Sequence, residues 1–304
     1  MSGAPGLETV PCPVCGGTRA SVLFERPYAG GDLSDVGTYA ATTDCFNGYG
    51  RVVRCAGCGM VFTNPRPTAQ TLARGYGECV DEAYLEESAA RSINAFLSLR
   101  TIERFCRSGR LLEFGCSVGY FLNAARVDFE VTGVEPSSWA CRAAKERFRL
   151  DVVEGTLASA ALAASSFDAV AMIDVIEHLP DPGAAVVRAG ELLKPGGILY
   201  LVTPDIDSLS ARLLGGSWWG LRPAHIQYFS AATLGRLLSE RGFEVVQSRS
   251  FGRIFSWGYW LSRLANYPAP VRAAVESFVR ALDIRDKLLY LDTRDSVELC
   301  ARRR

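Results

Sequence analysis

Short apolar runs alternate with stretches of helical spacing along the C-terminal two thirds of the chain. Each run is rich in aliphatic and β-branched residues and is followed by a helix-like stretch, which predicts parallel strands joined by helices. Such strands are predicted at 110–115, 129–135, 151–154, 167–173 and 197–203. Two later runs, 243–251 and 296–303, complete the pattern. We therefore predict an α/β domain built on a seven-stranded sheet.

The first third of the chain has a different pattern. Pro65 and Pro67 interrupt it, and a short helix is predicted over 68–76. A longer helix over 82–106 leads into the first strand of the α/β domain. We expect a small domain at 1–66, linking helices that cover the active site at 67–108, and the α/β domain at 109–304.

Composition narrows the classes of function. The 304 residues are enough for a full α/β core and a small appendage. Lys and Arg together number 33, as do Asp and Glu, so no net positive charge attracts a polyanion, and nucleic acid is not the expected partner. No stretch approaches the roughly 20 apolar residues that span a bilayer, and the start of the chain has no cationic or apolar leader. We expect a cytoplasmic monomer or homodimer.

Four of the ten cysteines form two CxxCG sequences. The predicted metal ligands are Cys12, Cys15, Cys55 and Cys58. Four thiolates suit the tetrahedral coordination of zinc, and the glycine after each pair lets the turn direct backbone amides toward the sulfurs. Because four protein ligands leave no open coordination position, the zinc is predicted to be structural. Free thiols in turns and a redox pair are the alternatives, and Cys45 is a spare ligand.

A glycine turn follows the first predicted strand of the α/β domain. In RLLEFGCSVGYFL an apolar run ends in Glu113, passes through Gly115 and Gly119, and resumes with helical spacing. This arrangement is typical of the edge where an α/β sheet binds a nucleotide-like cofactor. A dinucleotide fingerprint needs glycine at the third and sixth positions, where this chain has Ser117 and Tyr120. The turn therefore fits a pyrophosphate poorly.

The next predicted strand ends in Glu135, where a carboxylate can accept hydrogen bonds from both hydroxyls of a ribose. The first acid, the glycine turn and this second acid resemble the class I S-adenosylmethionine-dependent methyltransferases. The segments 167–182 and 192–205 resemble that family's fourth and fifth strands. The resemblance covers 109–304 and implies a Rossmann-like methyltransferase sheet whose last strand is antiparallel to its neighbours. The segment 60–72 is similar to the join in bacterial members that carry a zinc ribbon, which often modify sugars or secondary metabolites.

The resemblance implies a set of contacts with S-adenosylmethionine. Glu113 is expected at the methionine end of the cofactor, Glu135 at its ribose, and Asp174 beside the methionine moiety. Backbone contact is expected from Gly115, Cys116, Ser117 and Gly119, and adenine contact from Gly155, Thr156 and Leu157. Tyr76 and Tyr84 are candidates to fold over the cofactor, and packing of the helices onto the domain is the alternative role. Ser117 replaces a glycine that is common in the family's motif.

The chain has two histidines, and each is a candidate base for an acceptor hydroxyl, which is a weak nucleophile at neutral pH. His225 lies in a segment that looks like the family's HxxxFS-type motif, and His178 lies where a helix begins. A structural role is the alternative for each. Related sugar C-methyltransferases place a glutamate before the histidine, where this chain has Ala224. A hard cation at Asp205 and Asp207 is a further alternative, as is a helix cap.

The segment 253–289 is rich in aromatic residues and is long enough for two helices. Flat apolar rings exclude water and stack on an acceptor, so we interpret the segment as a helical lid. Ordinary helix packing, a dimer contact and a membrane-surface anchor are the alternatives. The aromatic residues in question are Phe255, Trp257, Tyr259, Trp260 and Tyr267.

Together these observations predict transfer of a methyl group from S-adenosylmethionine to a small-molecule or glycosyl acceptor, through oxygen. The alternatives are an RNA base methyltransferase, a sugar C-methyltransferase and a non-catalytic module that binds the cofactor and a partner. A structural zinc ion is expected in addition to the methyl donor.

Overall fold

The computed structural model describes residues 6–28, 33, 35–43, 48–264 and 269–304. The strands are β1 Leu7–Glu8, β2 Ala20–Arg26, β3 Gly50–Cys55, β4 Val61–Thr63, β5 Arg66–Pro67, β6 Gly109–Phe114, β7 Phe129–Glu135, β8 Val152–Glu154, β9 Phe167–Ile173, β10 Leu193–Pro204, β11 Gln227–Tyr228, β12 Phe243–Ser250, β13 Arg253–Ser256, β14 Leu288–Leu291 and β15 Ser296–Arg303. The α-helices are α1 Ala69–Glu78, α2 Ser88–Ile102, α3 Tyr120–Ala125, α4 Ser138–Phe148, α5 Pro182–Leu192, α6 Leu209–Leu214, α7 Ala231–Ser239, α8 Trp257–Ser262 and α9 Ala269–Ala281. Short 3-10 turns lie at Val36–Tyr39, Glu82–Leu85, Ile176–His178 and Gly215–Ser217. Two residues that the sequence analysis singled out, Cys45 and Tyr267, lie outside the described residues.

The central sheet has seven strands in the order β12-β15-β10-β9-β6-β7-β8. The strands from β6 to β10 are parallel to one another. The terminal strand β15 lies between β10 and β12 and is antiparallel to both. The predicted α/β fold and its antiparallel last strand are therefore confirmed.

The middle strands carry apolar side chains on both faces because helices cover both faces of the sheet. Successive residues of β6 show this: Leu112 and Phe114 pack into one apolar cluster, and Leu111 packs into a second cluster. All three side chains are buried. Alternate residues of a strand point to opposite faces, so the two clusters are the two layers of the core.

The strand order places a crevice at one edge of the sheet. From β6 the chain continues outward to β7 and β8, and it then returns to the other side of β6 to form β9. Ligands of open α/β sheets bind outside the carboxyl ends of the strands at such a switch point. The ends of β6, β7 and β9 are therefore the positions at which a ligand is expected.

The N-terminal segment forms its own sheet, in the order β11-β4-β3-β2, and borrows β11 from the C-terminal part of the chain. Gln227 of β11 pairs with Phe62 of β4. The backbone N–H of Thr63 donates to the carbonyl of Ile226 over 3.0 Å. Phe62 also packs in the same apolar cluster as Phe229. The N-terminal segment is thus joined to the α/β domain by backbone pairing and by a shared core.

Three predicted elements differ from the structure. The helix expected over 82–106 is a 3-10 turn followed by α2, which ends at Ile102. The break falls at Glu87, whose backbone is not helical and whose carboxylate accepts hydrogen bonds from Ser256. The strand expected at 197–203 begins earlier, at Leu193. The segment 253–289 contains helices α8 and α9, but they are enclosed by an unpredicted antiparallel pair, β13 and β14.

None of the helices in the described part of the chain combines the length and the apolar character that a membrane crossing requires.

Candidate active site

A cavity of about 1290 Å³ lies at the carboxyl ends of β6, β7 and β9. It brings together most of the residues that the sequence predicted for cofactor and acceptor. The predicted residues that line it are Tyr76, Tyr84, Glu113, Gly115, Cys116, Ser117, Glu135, Gly155, Thr156, Leu157, Asp174, His178 and His225. Gly119 is not in the lining and instead begins α3, with a φ of +86° that glycine adopts without strain.

Glu135 is held rigidly at the end of β7. One carboxylate oxygen accepts a hydrogen bond from the backbone N–H of Ser117 over 2.8 Å, and the other accepts from the N–H of Ser137 over 2.9 Å. Burial raises the pKa of Glu135, and these two N–H groups oppose that shift. Each carboxylate oxygen has a second lone pair, so Glu135 retains the capacity to accept two more hydrogen bonds from a ligand.

Glu113 is a buried carboxyl with unused hydrogen-bonding capacity. It lines the cavity at the end of β6, and its Oε2 has no hydrogen-bond partner among the described residues. Burial raises its pKa well above the usual range, and the nearby charge of Glu135 adds to this shift. A cationic ligand that donates a hydrogen bond would satisfy this oxygen and favour the charged form.

The turn between β6 and α3 has backbone angles that residues other than glycine rarely adopt. Gly115 has a φ of +67°, and a Cβ atom there would lie 2.5 Å from Cγ2 of Val175. Ser117 adopts a φ of +48°, and Asp174 on the neighbouring loop adopts +54°. Non-glycine residues with positive φ are concentrated at ligand-binding sites, where surrounding structure maintains the strain. Here both of them line the cavity.

The two predicted cover tyrosines have different surroundings. Tyr84 lies under the guanidinium of Arg91, whose central carbon is 3.4 Å from the ring centroid. Tyr76 of α1 places its hydroxyl 2.6 Å from Nδ1 of His178. Tyr84 therefore forms part of the wall near Glu113, whereas Tyr76 contacts the histidines.

His178 and His225 lie side by side, with their ring centroids 4.7 Å apart. Nδ1 of His178 is 2.9 Å from the carbonyl of Ala224, and Nδ1 of His225 is 2.8 Å from the carbonyl of Gly220. A carbonyl oxygen only accepts hydrogen bonds, so Nδ1 of His225 carries a proton and its neutral ring has a free lone pair on Nε2. Nδ1 of His178 contacts both the carbonyl of Ala224 and the hydroxyl of Tyr76, which can donate or accept. Burial lowers the pKa of both, that of His178 to about 4, so both rings are neutral at pH 7.

Glu177 is a third member of this group that the sequence analysis did not single out. Its Oε2 accepts a hydrogen bond from the hydroxyl of Thr203 over 2.9 Å, and its Oε1 has no partner among the described residues. Burial, followed by the charge of Asp174, raises its pKa to about 8. In the sequence, its position directly before His178 in DVIEHLPDP could have indicated that it belongs to the site.

Asp174 forms an ion pair with Arg253, the first residue of β13, at a distance of 2.6 Å. Asn94 of α2 holds the same strand, because its side chain both accepts from and donates to the backbone of Ile254, over 2.8 and 2.7 Å. The segment that follows lines the cavity with Phe255, Trp257, Tyr259 and Trp260. The aromatic segment is thus anchored beside the carboxyl end of β9.

The four predicted metal ligands lie together, with Cys55 at the end of β3. Their sulfur atoms all lie within 4.8 Å of one another, with Cys12 and Cys58 3.5 Å apart and Cys15 and Cys55 3.6 Å apart. The two CxxCG turns are closed in the same way. In each, the N–H of the glycine donates to the carbonyl of the first cysteine. A cluster of four cysteine sulfurs is the donor set that a structural zinc ion prefers.

The two aspartates that were an alternative hard-cation site do not line the cavity. Asp205 accepts a hydrogen bond from the N–H of Asp207 over 2.9 Å, and Asp207 lies 3.9 Å from the guanidinium of Arg54.

The sequence comparison decides the family. The model of a family described as a methyltransferase domain matches residues 82–248, which is more than half of the chain. The chain belongs to this family. It carries a methyltransferase domain of the S-adenosylmethionine-dependent class, and the resemblance to that class found in the sequence is confirmed.

Two curated relatives are informative. The methyltransferase is 34% identical over 142 residues to a Mycolicibacterium smegmatis protein named "Probable S-adenosylmethionine-dependent methyltransferase", covering 46% of this chain and 54% of the relative. It is 29% identical over 159 residues to the ubiquinone biosynthesis O-methyltransferase of Azorhizobium caulinodans, covering 48% of this chain and 62% of the relative. The chain spans about half to three fifths of the length of these relatives.

The fold is supported by one solved structure, and a second match is weaker. A chain from a complex that contains the Haloferax volcanii Trm112 methyltransferase activator matches with a TM-score of 0.51 and 16% identity, covering 73% of this chain and 92% of that one. A SAM-dependent methyltransferase from Thermotoga maritima matches with a TM-score of 0.49 and 20% identity, covering 73% and 94%. Identities this low support the fold alone.

We expect that replacing Glu135 with glutamine weakens binding of S-adenosylhomocysteine by about 10- to 150-fold, the range for hydrogen bonds to a charged group. Glutamine has one acceptor oxygen, so its NH₂ group faces the N–H of Ser117 or Ser137. Titration calorimetry measures the change. The matched control is Glu130→Gln, at the opposite and exposed end of the same strand, which should bind like the unaltered protein. Equal affinities for the two variants would contradict the assigned role of Glu135.

Proposed function

We propose that this methyltransferase transfers the methyl group to a hydroxyl oxygen of a small-molecule or glycosyl acceptor. The observation that carries the proposal is the presence of two neutral, hydrogen-bonded imidazoles in the same cavity as Glu113 and Glu135. The Azorhizobium caulinodans relative is named as an O-methyltransferase, which supports oxygen as the acceptor atom.

The acidic half of the cavity suits the methyl donor. S-adenosylmethionine supplies an activated methyl group on a sulfonium sulfur. We assign its ammonium group to the unpartnered oxygen of Glu113 and its ribose hydroxyls to Glu135. The loop 155–157 is assigned to the adenine, and Tyr84 to a cover over the methionine end. Their main contribution is to hold the donor in one orientation, which accounts for much of the rate of a displacement reaction.

The histidine half of the cavity suits the acceptor. A lone pair of the hydroxyl oxygen forms the new C–O bond, and the electron pair of the S–CH₃ bond leaves with sulfur, which becomes a neutral thioether. The hydroxyl proton must leave as well. We assign His225 as the group that removes it, because its Nδ1 donates to a carbonyl and leaves Nε2 unprotonated, and we keep His178 as the second candidate.

The aromatic segment is assigned to the acceptor side as a lid. Phe255 and Tyr259 are stacked, with ring centroids 3.9 Å apart, and Trp260 meets Phe255 edge-on at 5.7 Å. Rings in this arrangement exclude water and offer a flat surface to a ring-shaped acceptor. The ion pair between Arg253 and Asp174 fixes the base of the lid.

We also assign a structural zinc ion to Cys12, Cys15, Cys55 and Cys58. The four convergent sulfurs and the two matching glycine turns support this assignment. Such an ion stabilises the N-terminal sheet and takes no part in methyl transfer.

Label transfer tests the proposed function. The purified chain is incubated with S-adenosylmethionine carrying a labelled methyl group and with separate panels of catechols, polyols, nucleotide sugars and ribosomal RNA. We expect label in a hydroxylated small molecule, in an ether linkage that resists mild alkali. Label confined to RNA, or to a carbon atom of a sugar, would overturn the proposed acceptor class.

A further inference from the structure

Three side chains that can each present a lone pair to a metal ion converge in the cavity. One ligand atom each from Glu177, His178 and His225 lies within 4.8 Å of the other two. Two of the residues are buried and the third is partly buried. Nδ1 of each imidazole lies within hydrogen-bond distance of a backbone carbonyl, and the buried Oε1 of Glu177 has no partner among the described residues. Acceptors gathered in this way repel one another unless a cation or a donor lies between them.

Each of the three side chains is also oriented by a second hydrogen bond on the side away from the convergence. The carbonyl of Ala224 fixes His178, the carbonyl of Gly220 fixes His225, and the hydroxyl of Thr203 fixes the carboxylate. Ligands of protein-bound metals are held in this way, because the outer bond sets the tautomer of the imidazole and aims the lone pair inward. An ordinary buried histidine needs only one satisfied nitrogen and no convergent neighbours.

We propose that Glu177, His178 and His225 bind a divalent first-row transition-metal ion that coordinates the acceptor hydroxyl. Two imidazoles and one carboxylate are a donor set suited to zinc, iron, cobalt or manganese rather than to magnesium or calcium, which prefer oxygen ligands throughout. Three protein ligands leave positions open for a substrate, in contrast to the four cysteines.

This inference rests on the proposed function and specifies its acceptor site. A cation at this position lowers the pKa of a coordinated hydroxyl, so the proton is released to solvent and the alkoxide attacks the methyl carbon. In this refinement of the proposed function, the metal ion replaces the base role assigned above to His225, and the methyl donor, the cavity and the oxygen acceptor stay the same. An acceptor with two neighbouring hydroxyls would fill two open positions, so the proposal favours catechols and cis-diols.

The backbone explains how residues distant in sequence form this group. Glu177 and His178 lie in the 3-10 turn after β9, and the N–H of Ile226 donates to the carbonyl of Glu177 over 3.0 Å. That bond places His225 directly beside the turn. The same loop continues into β11, which pairs with β4 of the N-terminal sheet.

Cobalt uptake by the full chain tests the proposal. Protein that retains its tightly bound zinc is freed of weakly bound ions with a mild chelator and titrated with Co²⁺, and bound metal per chain is measured. We expect one equivalent of Co²⁺ beyond the zinc, with ligand-field bands but without the thiolate-to-cobalt charge-transfer band of a cysteine site. The variants Glu177→Gln and His225→Ala should each bind this equivalent at least about 100-fold more weakly, since each removes a direct ligand and even an outer partner contributes about 10- to 100-fold.

Controls separate the possible outcomes. Glu146→Gln, on the exposed face of α4, should take up cobalt like the unaltered chain. If Glu177→Gln does not fold, His178→Ala and His225→Ala provide the same test.

S-adenosylhomocysteine binding is measured on every sample, so a chain that binds this ligand and transfers methyl groups but takes up no second metal refutes the metal site alone. A chain that does not bind it refutes the proposed function. Cobalt uptake that persists in both the Glu177 and the His225 variants would also overturn the site.

Discussion

Replacing His225 with alanine should reduce kcat by about 10²- to 10⁴-fold, the contribution expected of a group that activates a hydroxyl. The side chain is buried, lines the cavity, and keeps Nε2 free because Gly220 accepts its Nδ1 proton. The affinity for S-adenosylhomocysteine should not change, because Glu113 and Glu135 lie at the other end of the cavity. Steady-state kinetics on the acceptor found by label transfer, together with calorimetry, measure both quantities.

A second variant controls for the cavity that alanine leaves in a buried loop. His225→Gln keeps most of the volume and can still donate to the carbonyl of Gly220, but its amide is neither a base nor a good metal ligand. It should therefore be as inactive as the alanine variant while having a Tm closer to that of the unaltered chain. Activity restored by glutamine would mean that His225 only supports the loop.

Replacing Cys12 with serine should release the zinc ion and lower the free energy of unfolding by about 5 kcal/mol, in the range reserved for the loss of a metal or a disulfide. Cys12 is buried, and its sulfur is 3.5 Å from that of Cys58. The loss should be smaller than that of an isolated zinc finger, because Phe62 and Met60 also pack into the core of the α/β domain. Metal analysis and denaturant unfolding measure the two effects.

The matched control for this substitution is Cys106→Ser. The thiol of Cys106 donates to the carbonyl of Ser108, a bond that a serine hydroxyl also makes, and the residue is only partly buried against the core. Its stability should stay within about 0.5 kcal/mol of the unaltered chain. A Cys12 variant that keeps its zinc and its stability would rule out the four-cysteine site.

Loss of the zinc ion should also impair methyl transfer, although the cysteines are not in the cavity lining. Thr63 of β4 donates from its N–H to the carbonyl of Ile226, and its hydroxyl lies 3.4 Å from the carbonyl of His225. The N-terminal sheet therefore supports the loop that presents His225. We expect the Cys12 variant to bind S-adenosylhomocysteine but to turn over more slowly than the Cys106 variant.

Local pattern in the sequence predicted much of the sheet and of the cofactor half of the cavity. The apolar runs of β6 and β9 are continuous because both faces of those strands are buried. Glu113 and Glu135 each end a strand, so their positions follow once the strands are assigned. The turn at Gly115 is visible because the positive φ and the lack of space for a Cβ both require glycine.

Contacts between distant segments were not predicted. The pairing of β11 with β4 joins residues more than 160 positions apart through a two-residue strand, which is too short to give a pattern. The hairpin of β13 and β14 encloses two helices and depends on Asn94, in a different element. Glu177 was overlooked because its role depends on His225, which reaches it only through the tertiary fold.

The structure of the chain in complex with S-adenosylhomocysteine tests the central claim most directly. We predict the ribose hydroxyls on the carboxylate of Glu135, the amino group on Oε2 of Glu113, and the sulfur facing His178 and His225. A ligand bound outside this cavity, or one that contacts neither carboxylate, would contradict it.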